Sequence, residues 1–215
     1  MLTMIVEGRG EEYALPVLIQ KAKDIQLLPN LPEIKYLVAN GKPYILQQND
    51  DTSHGLEGYV RRQIHTTNCR KFVVLLDSDR TFPPYLDNDD RDLTLEYQEM
   101  PLHAQRIGEK YGVEVIVCWA KWELESWLIG GLRKGGIECD ENLGQFSIKF
   151  TIPEDTSKNP REAKAWLLRQ FNKRKEENYT PSVVECLALH VNIHEAHHRN
   201  PTLKEFFDVL RSITN

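Results

Sequence analysis

Carboxylate side chains follow three separate apolar segments of the chain, each close to the point where the segment ends. They are Glu7 after residues 2–6, Asp77 and Asp79 after residues 71–76, and Glu123 and Glu125 after residues 113–118. Carboxylates brought together repel one another unless a cation lies between them. Oxygen ligands without a nearby Cys or His favour Mg²⁺ or Mn²⁺ over zinc. Two such ions can hold the attacking and leaving oxygens of a phosphodiester, so the pattern indicates metal-dependent phosphoester chemistry.

Glu11 is a further candidate ligand. It follows Glu7 by one helical turn and would begin the first helix, from which its side chain can turn back towards Glu7. An acidic residue in a first helical turn is also favoured by the helix dipole, and this second explanation applies equally to Glu12. Both interpretations of Glu11 stay open at this point.

The elements that must position these residues alternate along the chain. Strands are predicted over residues 2–6, 34–38, 71–76 and 113–118, and helices over residues 11–23, 56–65 and 98–111. Residues 119–129 form the loop and helix after the fourth strand, and Gly130, Gly131, Gly135 and Gly136 are expected to break that helix. Alternation of this kind predicts an α/β fold with a mainly parallel sheet, whose ligands bind at the carboxyl ends of the strands.

The composition changes after about residue 141. Helices are predicted over residues 161–175, 181–190 and 202–213, with prolines just before the first and the last. We therefore expect an α/β domain over residues 1–140 and a helical extension over residues 141–215 that packs on the same core.

Composition restricts the classes of partner. The chain has 215 residues and a formal net charge of −5, so a nucleic-acid partner would need a local basic patch or bound cations. No apolar run reaches the length of a membrane span, and residues 1–6 run directly into a charged segment, so neither a membrane segment nor a signal peptide is expected. The 4 cysteines are scattered without a CxxC motif, which predicts reduced thiols and a cytoplasmic location.

Two segments resemble the motifs of the Toprim superfamily. Residues 5–11 (IVEGRGE) place Glu-Gly after a strand, and residues 73–79 (VVLLDSD) place an Asp-x-Asp pair after another. The spacing Glu-Gly-x-x-Glu is most similar to OLD-type nucleases and their small stand-alone relatives. Residues 122–128 (WELESWL) resemble a signature of one such family of unknown function. The resemblance covers residues 1–130 and continues more weakly through the C-terminal helices.

The resemblance implies a Toprim-like, Rossmann-like domain with Mg²⁺- or Mn²⁺-dependent nuclease activity on DNA or RNA. By position, the implied ligands are Glu7 as general base or metal ligand, Asp77 and Asp79 as the metal-binding pair, Glu11 as second-metal ligand, and Glu125, with Glu123 as its substitute, as the late acid. Only one of Glu123 and Glu125 is expected to face the site, because only one side of the predicted helix can face it.

OLD-type enzymes also use a late lysine near the scissile phosphate. Lys158, Arg161 and Lys164 lie at about the matching place, and the sequence does not choose among them. The same kinship implies a role in defence against mobile elements or in repair, with a separately encoded ATPase as a partner.

Three other interpretations stay open. A non-catalytic Toprim module would bind nucleic acid or a partner protein without needing the full set of carboxylates. Residues 77–81 (DSDRT) also match the DxDxT signature of haloacid-dehalogenase-like phosphatases, although that motif normally follows the first strand. Residues 194–198 (HEAHH) match the HExxH motif of zinc proteases, although Pro201 ends the helix close by.

Overall fold

The structure is a computed structural model that describes residues 1–46, 55–78, 91–133, 135–138, 145–148, 152–158, 162–170 and 180–213. The strands are β1 (Leu2–Val6), β2 (Ile34–Val38), β3 (Lys71–Asp77), β4 (Glu114–Ala120), β5 (Gly135–Glu138) and β6 (Gln145–Ile148). The helices are α1 (Arg9–Asp24), α2 (Lys42–Leu46), α3 (Gly55–Thr67), α4 (Arg91–Tyr111), α5 (Leu124–Gly131), α6 (Ala163–Gln170), α7 (Pro181–His190), α8 (Ile193–Arg199) and α9 (Pro201–Ser212).

The central sheet has four parallel strands in the order β2-β1-β3-β4. Strands β1 and β3 occupy its middle, and their apolar residues are buried without the polar alternation of a half-exposed strand. This continuous burial is typical of parallel sheets that are covered on both faces. The predicted α/β fold with a parallel sheet is therefore confirmed.

The two faces of the sheet carry separate apolar cores, as the alternation along β3 shows. Val73 and Leu75 face one core, which also contains apolar side chains of α1, α5, α7, α8 and α9. Phe72, Val74 and Leu76 face the other, which contains side chains of α3 and α4. Successive residues of a strand point to opposite faces, so one short apolar run supplies both cores. The helices α7 to α9 thus share a core with α1 and the sheet.

The structure differs from the sequence-based prediction at short or closely packed elements. Helix α2 and the antiparallel pair β5–β6 were not predicted, and α4 begins at Arg91 rather than near residue 98. Helix α5 includes Gly130 and ends at Gly131, two residues beyond the predicted end, so the glycines lie at its carboxyl end as predicted. A Cβ atom at Gly131 would lie 2.6 Å from the carbonyl oxygen of Asn192, just before α8. The glycine therefore permits close packing of α8 on α5.

Two further findings concern membrane-spanning helices and the cysteines. Within the residues that the structure describes, no helix is long and apolar enough to cross a membrane. Cys69 and Cys118 are buried and free, as predicted, whereas Cys186 is disulfide-bonded. The prediction that every cysteine is reduced is thus wrong at Cys186, because cysteine spacing alone does not determine which thiols form disulfides.

Candidate functional site

A cleft of about 330 Å³ lies beside the carboxyl ends of β1 and β3. Its polar walls are formed by Arg9, Glu11, Asp77, Glu123, Glu125 and Lys164. These residues come from the start of α1, the end of β3, the start of α5 and the first turn of α6. Four residues predicted as metal ligands and one predicted catalytic lysine therefore share one cleft.

Two hydrogen bonds connect the elements at the floor of this cleft. The Glu7 Oε1 atom accepts a hydrogen bond from the backbone N–H of Asp77 at 2.7 Å. The Asp77 Oδ1 atom accepts one from the backbone N–H of Leu124, the first residue of α5, at 3.0 Å. Hydrogen bonds from an amide to a carboxylate are strong. These two fix the positions of the end of β1, the end of β3 and the start of α5 relative to one another. Glu7 lies behind Asp77 and is not part of the cleft wall.

Glu123 positions the lysine of the cleft. It is the N-cap residue of α5 and has extended backbone angles, φ −157° and ψ 159°. Its Oε2 atom accepts a hydrogen bond at 2.7 Å from the backbone N–H of Lys164 in the first turn of α6. Because Glu123 precedes the helix, it reaches the cleft together with Glu125. The expectation that only one of the two faces the site is therefore wrong.

Glu11 and Glu125 are the most buried carboxylates of the cleft, each only 8 % exposed. The Glu11 Oε2 atom accepts a hydrogen bond from the backbone N–H of Gly8 at 3.1 Å. Burial raises the pKa of the Glu11 carboxyl, and the backbone N–H groups of Glu11 and Gly8 and the charge of Lys164 oppose that rise. Burying carboxylates in one cleft costs free energy, which a bound cation would recover.

We predict that Glu11→Gln stabilises the metal-free protein at neutral pH. A raised pKa in the folded state means that the stability contribution of Glu11 is lost as the pH rises, so ionised Glu11 destabilises the fold. Gln retains an acceptor for the Gly8 N–H and carries no charge. We expect the midpoint of thermal unfolding in EDTA at pH 7.5 to rise by about 2–4 °C, the shift that roughly 1 kcal/mol produces in a chain of this size.

The stability gain of Glu11→Gln should shrink towards zero below about pH 4, where the carboxyl is protonated in both states. Glu12→Gln is the matched control, because Glu12 lies on the same turn but outside the cleft. It should lose a few tenths of a kcal/mol of helix-dipole stabilisation instead. Equal or lower stability of Glu11→Gln at pH 7.5 would contradict the prediction.

The other predicted site residues lie elsewhere or outside the described ranges. Lys158 is exposed, and its ammonium group pairs with the Asp155 carboxylate at 2.9 Å, away from the cleft. Asp79 and Arg161 fall outside the described residues. Of the three basic residues among which the sequence did not choose, Lys164 is the one that the structure places in the cleft.

The described carboxylates do not form a ready-made metal site. Across the described ranges, no group of three or more acidic, histidine or cysteine side chains is arranged so that it could hold a metal ion. The donor chemistry nevertheless fits a hard cation, because four carboxylates line one cleft without Cys or His. A cation would thus be held by carboxylates that now accept hydrogen bonds from backbone amides of neighbouring elements.

Two residues that fix the backbone beside Asp77, Ser78 and Trp122, were not predicted from the sequence to have this role. Ser78, between the two aspartates of the Asp-Ser-Asp motif, is fully buried, and its Oγ atom accepts a hydrogen bond from the backbone N–H of Trp122 at 2.8 Å. Trp122 is itself buried and has φ +68°, a left-handed conformation that is costly for a bulky residue. Trp122 follows the end of β4, is hydrogen-bonded to Ser78 just after β3, and directly precedes Glu123 in the chain. No periodicity in the sequence signals this junction.

The HExxH segment lies on α8, and none of its residues lines the cleft. Glu195 pairs with Arg199 at 2.8 Å, and the Asn192 side chain caps the helix by accepting hydrogen bonds from the backbone N–H groups of His194 and Glu195. Ala196 packs against Gly131 of α5. In the described structure these residues have the contacts of a short packing helix.

The charges of the cleft determine what it can bind first. Carboxylates outnumber the basic side chains on its polar walls, so a phosphate anion would be repelled until a cation is bound. The cleft therefore suits a divalent cation and then a phosphoester. No protein-family model matches this chain, and no match was found among curated proteins or solved structures.

Proposed function

We propose that the protein is a Mg²⁺- or Mn²⁺-dependent nuclease that hydrolyses phosphodiester bonds in DNA or RNA. The observation that carries the proposal is the convergence of Glu11, Asp77, Glu123 and Glu125 with Lys164 in one cleft at the end of the sheet. Carboxylates for a cation and a basic group for a phosphate are the parts that metal-dependent phosphodiester hydrolysis requires.

Each residue has a distinct part in this mechanism. Asp77, Glu11 and Glu125 would hold one or two cations, which when bound supply Lewis-acid activation of the phosphodiester and of water. Lys164 would stabilise the negative charge that develops on the phosphate. The resemblance implies Glu7 as general base or metal ligand; it is not among the residues that line the cleft, and it holds Asp77 by accepting a hydrogen bond from the Asp77 N–H. Asp79 is proposed as a further metal ligand.

The order of the elements supports a Toprim-like assignment. The Glu-Gly segment follows β1 and the Asp-x-Asp segment follows β3, and these are neighbouring parallel strands. The Glu7 carboxylate accepts a hydrogen bond from the backbone N–H of Asp77, which connects the ends of the two strands. A role in defence or repair and a separately encoded ATPase partner follow from the resemblance to OLD-type proteins and belong to the same proposal.

A second candidate function is a non-catalytic module of the same fold that binds nucleic acid or a partner protein. The observation that favours it is that, in the described part of the chain, no group of side chains is arranged to hold a metal. In such a module, Glu7, Asp77 and Glu123 would serve only to join elements through backbone hydrogen bonds. The two candidates differ in whether a cation binds at all.

The test is cleavage of circular plasmid, single-stranded DNA and single-stranded RNA in Mg²⁺, Mn²⁺ or EDTA. The nuclease proposal predicts cleavage in one or both metals and none in EDTA. We expect Lys164→Met to lower the rate about 100-fold, because it removes a charge that stabilises the transition state. Its backbone N–H to Glu123 is kept.

Lys158→Met is the matched control, since it removes the same charge from an exposed residue outside the cleft. Its rate should stay within about twofold of that of the wild type, as an exposed ion pair contributes little. Equal losses in both variants would contradict the placement of the phosphate beside Lys164. Absence of cleavage with any metal and substrate would favour the non-catalytic module.

A further inference from the structure

Arg9 is a second basic residue of the cleft, and the mechanism above does not use it. It is the first residue of α1, it is exposed, and it lines the same cleft as the carboxylates. In the described part of the chain its side chain takes part in no ion pair or hydrogen bond. A guanidinium that shares a cleft with four carboxylates and pairs with none of them is placed for a ligand from outside the chain.

The stability of α1 does not account for an arginine at this position. The amino end of a helix favours negative side chains, so a cation in the first turn is unfavourable. The flanking Gly8 and Gly10 are poor helix formers as well. A Cβ atom at Gly10 would meet Val184 of α7 at 3.8 Å, an ordinary van der Waals contact, so packing does not require a glycine there either. All three residues of the Gly-Arg-Gly segment line the cleft, and Arg9 is the cation among them.

Arg9 and Lys164 serve different parts of the cleft. The charge of Lys164 lowers the pKa of the buried Glu11 carboxyl, and both residues line the cleft. Arg9 is exposed on a different element and exerts no resolved effect on Glu11. Guanidinium groups bind phosphate oxygens through two parallel hydrogen bonds. Two cations on two elements suit a ligand that carries more than one phosphate.

We propose that Arg9 binds a phosphate neighbouring the one that is cleaved, so that the substrate is a polynucleotide rather than a small phosphoester. This inference rests on the proposed nuclease function and extends it to substrate class. Arg9 would contribute binding that is the same in the ground state and the transition state. Its loss should therefore raise KM and leave kcat almost unchanged.

The test compares Arg9→Ala with the wild type on two substrates: the polynucleotide that the wild type cuts, and bis(p-nitrophenyl) phosphate, which has a single phosphate. On the polynucleotide we expect KM to rise about tenfold and kcat to stay within about twofold. The dependence of log(kcat/KM) on log[NaCl] should become shallower by about 0.7 for a single strand. On bis(p-nitrophenyl) phosphate, kcat/KM should not change.

Arg106→Ala is the matched control, because it removes the same charge from an exposed position of α4 on the other face of the sheet. Arg9→Ala that behaves like Arg106→Ala overturns the inference while leaving the nuclease intact. A loss of kcat on both substrates also overturns it, since Arg9 would then act at the cleaved phosphate. A wild type that cuts neither substrate with any metal overturns the proposed function and the inference together.

Discussion

Asp77→Asn is expected to lower metal-dependent cleavage of nucleic acid at least about a thousandfold. Asp77 stands at the carboxyl end of β3, in the wall of the cleft, between Glu7 and the start of α5. Asn has the same shape and keeps an oxygen that can accept the hydrogen bond from Leu124 N–H. The substitution therefore removes the charge that would hold a cation while preserving the contacts between elements.

The measurement is the initial rate of cleavage in Mg²⁺ and in Mn²⁺ beside the thermal unfolding midpoint of each variant. Asp208→Asn is the matched control, as Asp208 is half exposed on α9 and pairs with Arg211 at 3.2 Å. Its rate should stay within about twofold of that of the wild type. An Asp77→Asn protein that folds and retains a tenth or more of the wild-type rate would show that Asp77 is not a metal ligand of the reaction.

Asn200→Ala is expected to lower the free energy of unfolding by about 4 kcal/mol, the largest stability effect that we predict. Asn200 is 0 % exposed, and its Nδ2 atom donates to the hydroxyl oxygens of Ser126 and Thr156, each at 3.1 Å. Its Oδ1 atom accepts from the backbone N–H groups of Thr202 and Leu203 and so caps α9. Alanine would leave several buried polar groups without these partners.

Urea denaturation of Asn200→Ala and Asn192→Ala separates burial from capping. Asn192 caps α8 in the same way, by accepting from two backbone N–H groups, but it is only partly buried. Its replacement should therefore cost about 1 kcal/mol, the ordinary value for an N-cap. Similar losses in the two variants would contradict the account of Asn200. Because Ser126 adjoins Glu125, the Asn200 contacts also support the start of α5 beside the cleft.

The fold was predictable where a physical signal is local. β1 and β2 have the predicted bounds and β3 and β4 differ by one or two residues, because apolar and β-branched runs identify buried strands. Parallel strands bring the residues that follow them to one edge, so chain order predicted that carboxylates after β3 and β4 would share a site, and Asp77 and Glu125 line one cleft.

The features of the fold and the cleft that could not be predicted depend on contacts between segments distant in sequence. The hydrogen bond from Lys164 N–H to Glu123 decides which basic residue reaches the cleft, and nothing near residue 164 encodes its partner. Gly131 has the local character of a helix breaker, yet its role is set by the backbone of Asn192, which packs against it. The strained backbone of Trp122 likewise follows from the junction with Ser78. Arg9 was not predicted as a site residue, because a single arginine between two glycines has no periodic pattern.

We propose that the cleft binds a divalent cation through Asp77 and its neighbours. Isothermal titration calorimetry with Mn²⁺ on the wild type, Asp77→Asn and Asp208→Asn tests this proposal without any substrate. We expect the wild type and Asp208→Asn to bind one or two Mn²⁺ ions, and Asp77→Asn to lose that binding. No binding by the wild type, or unchanged binding by Asp77→Asn, would contradict it.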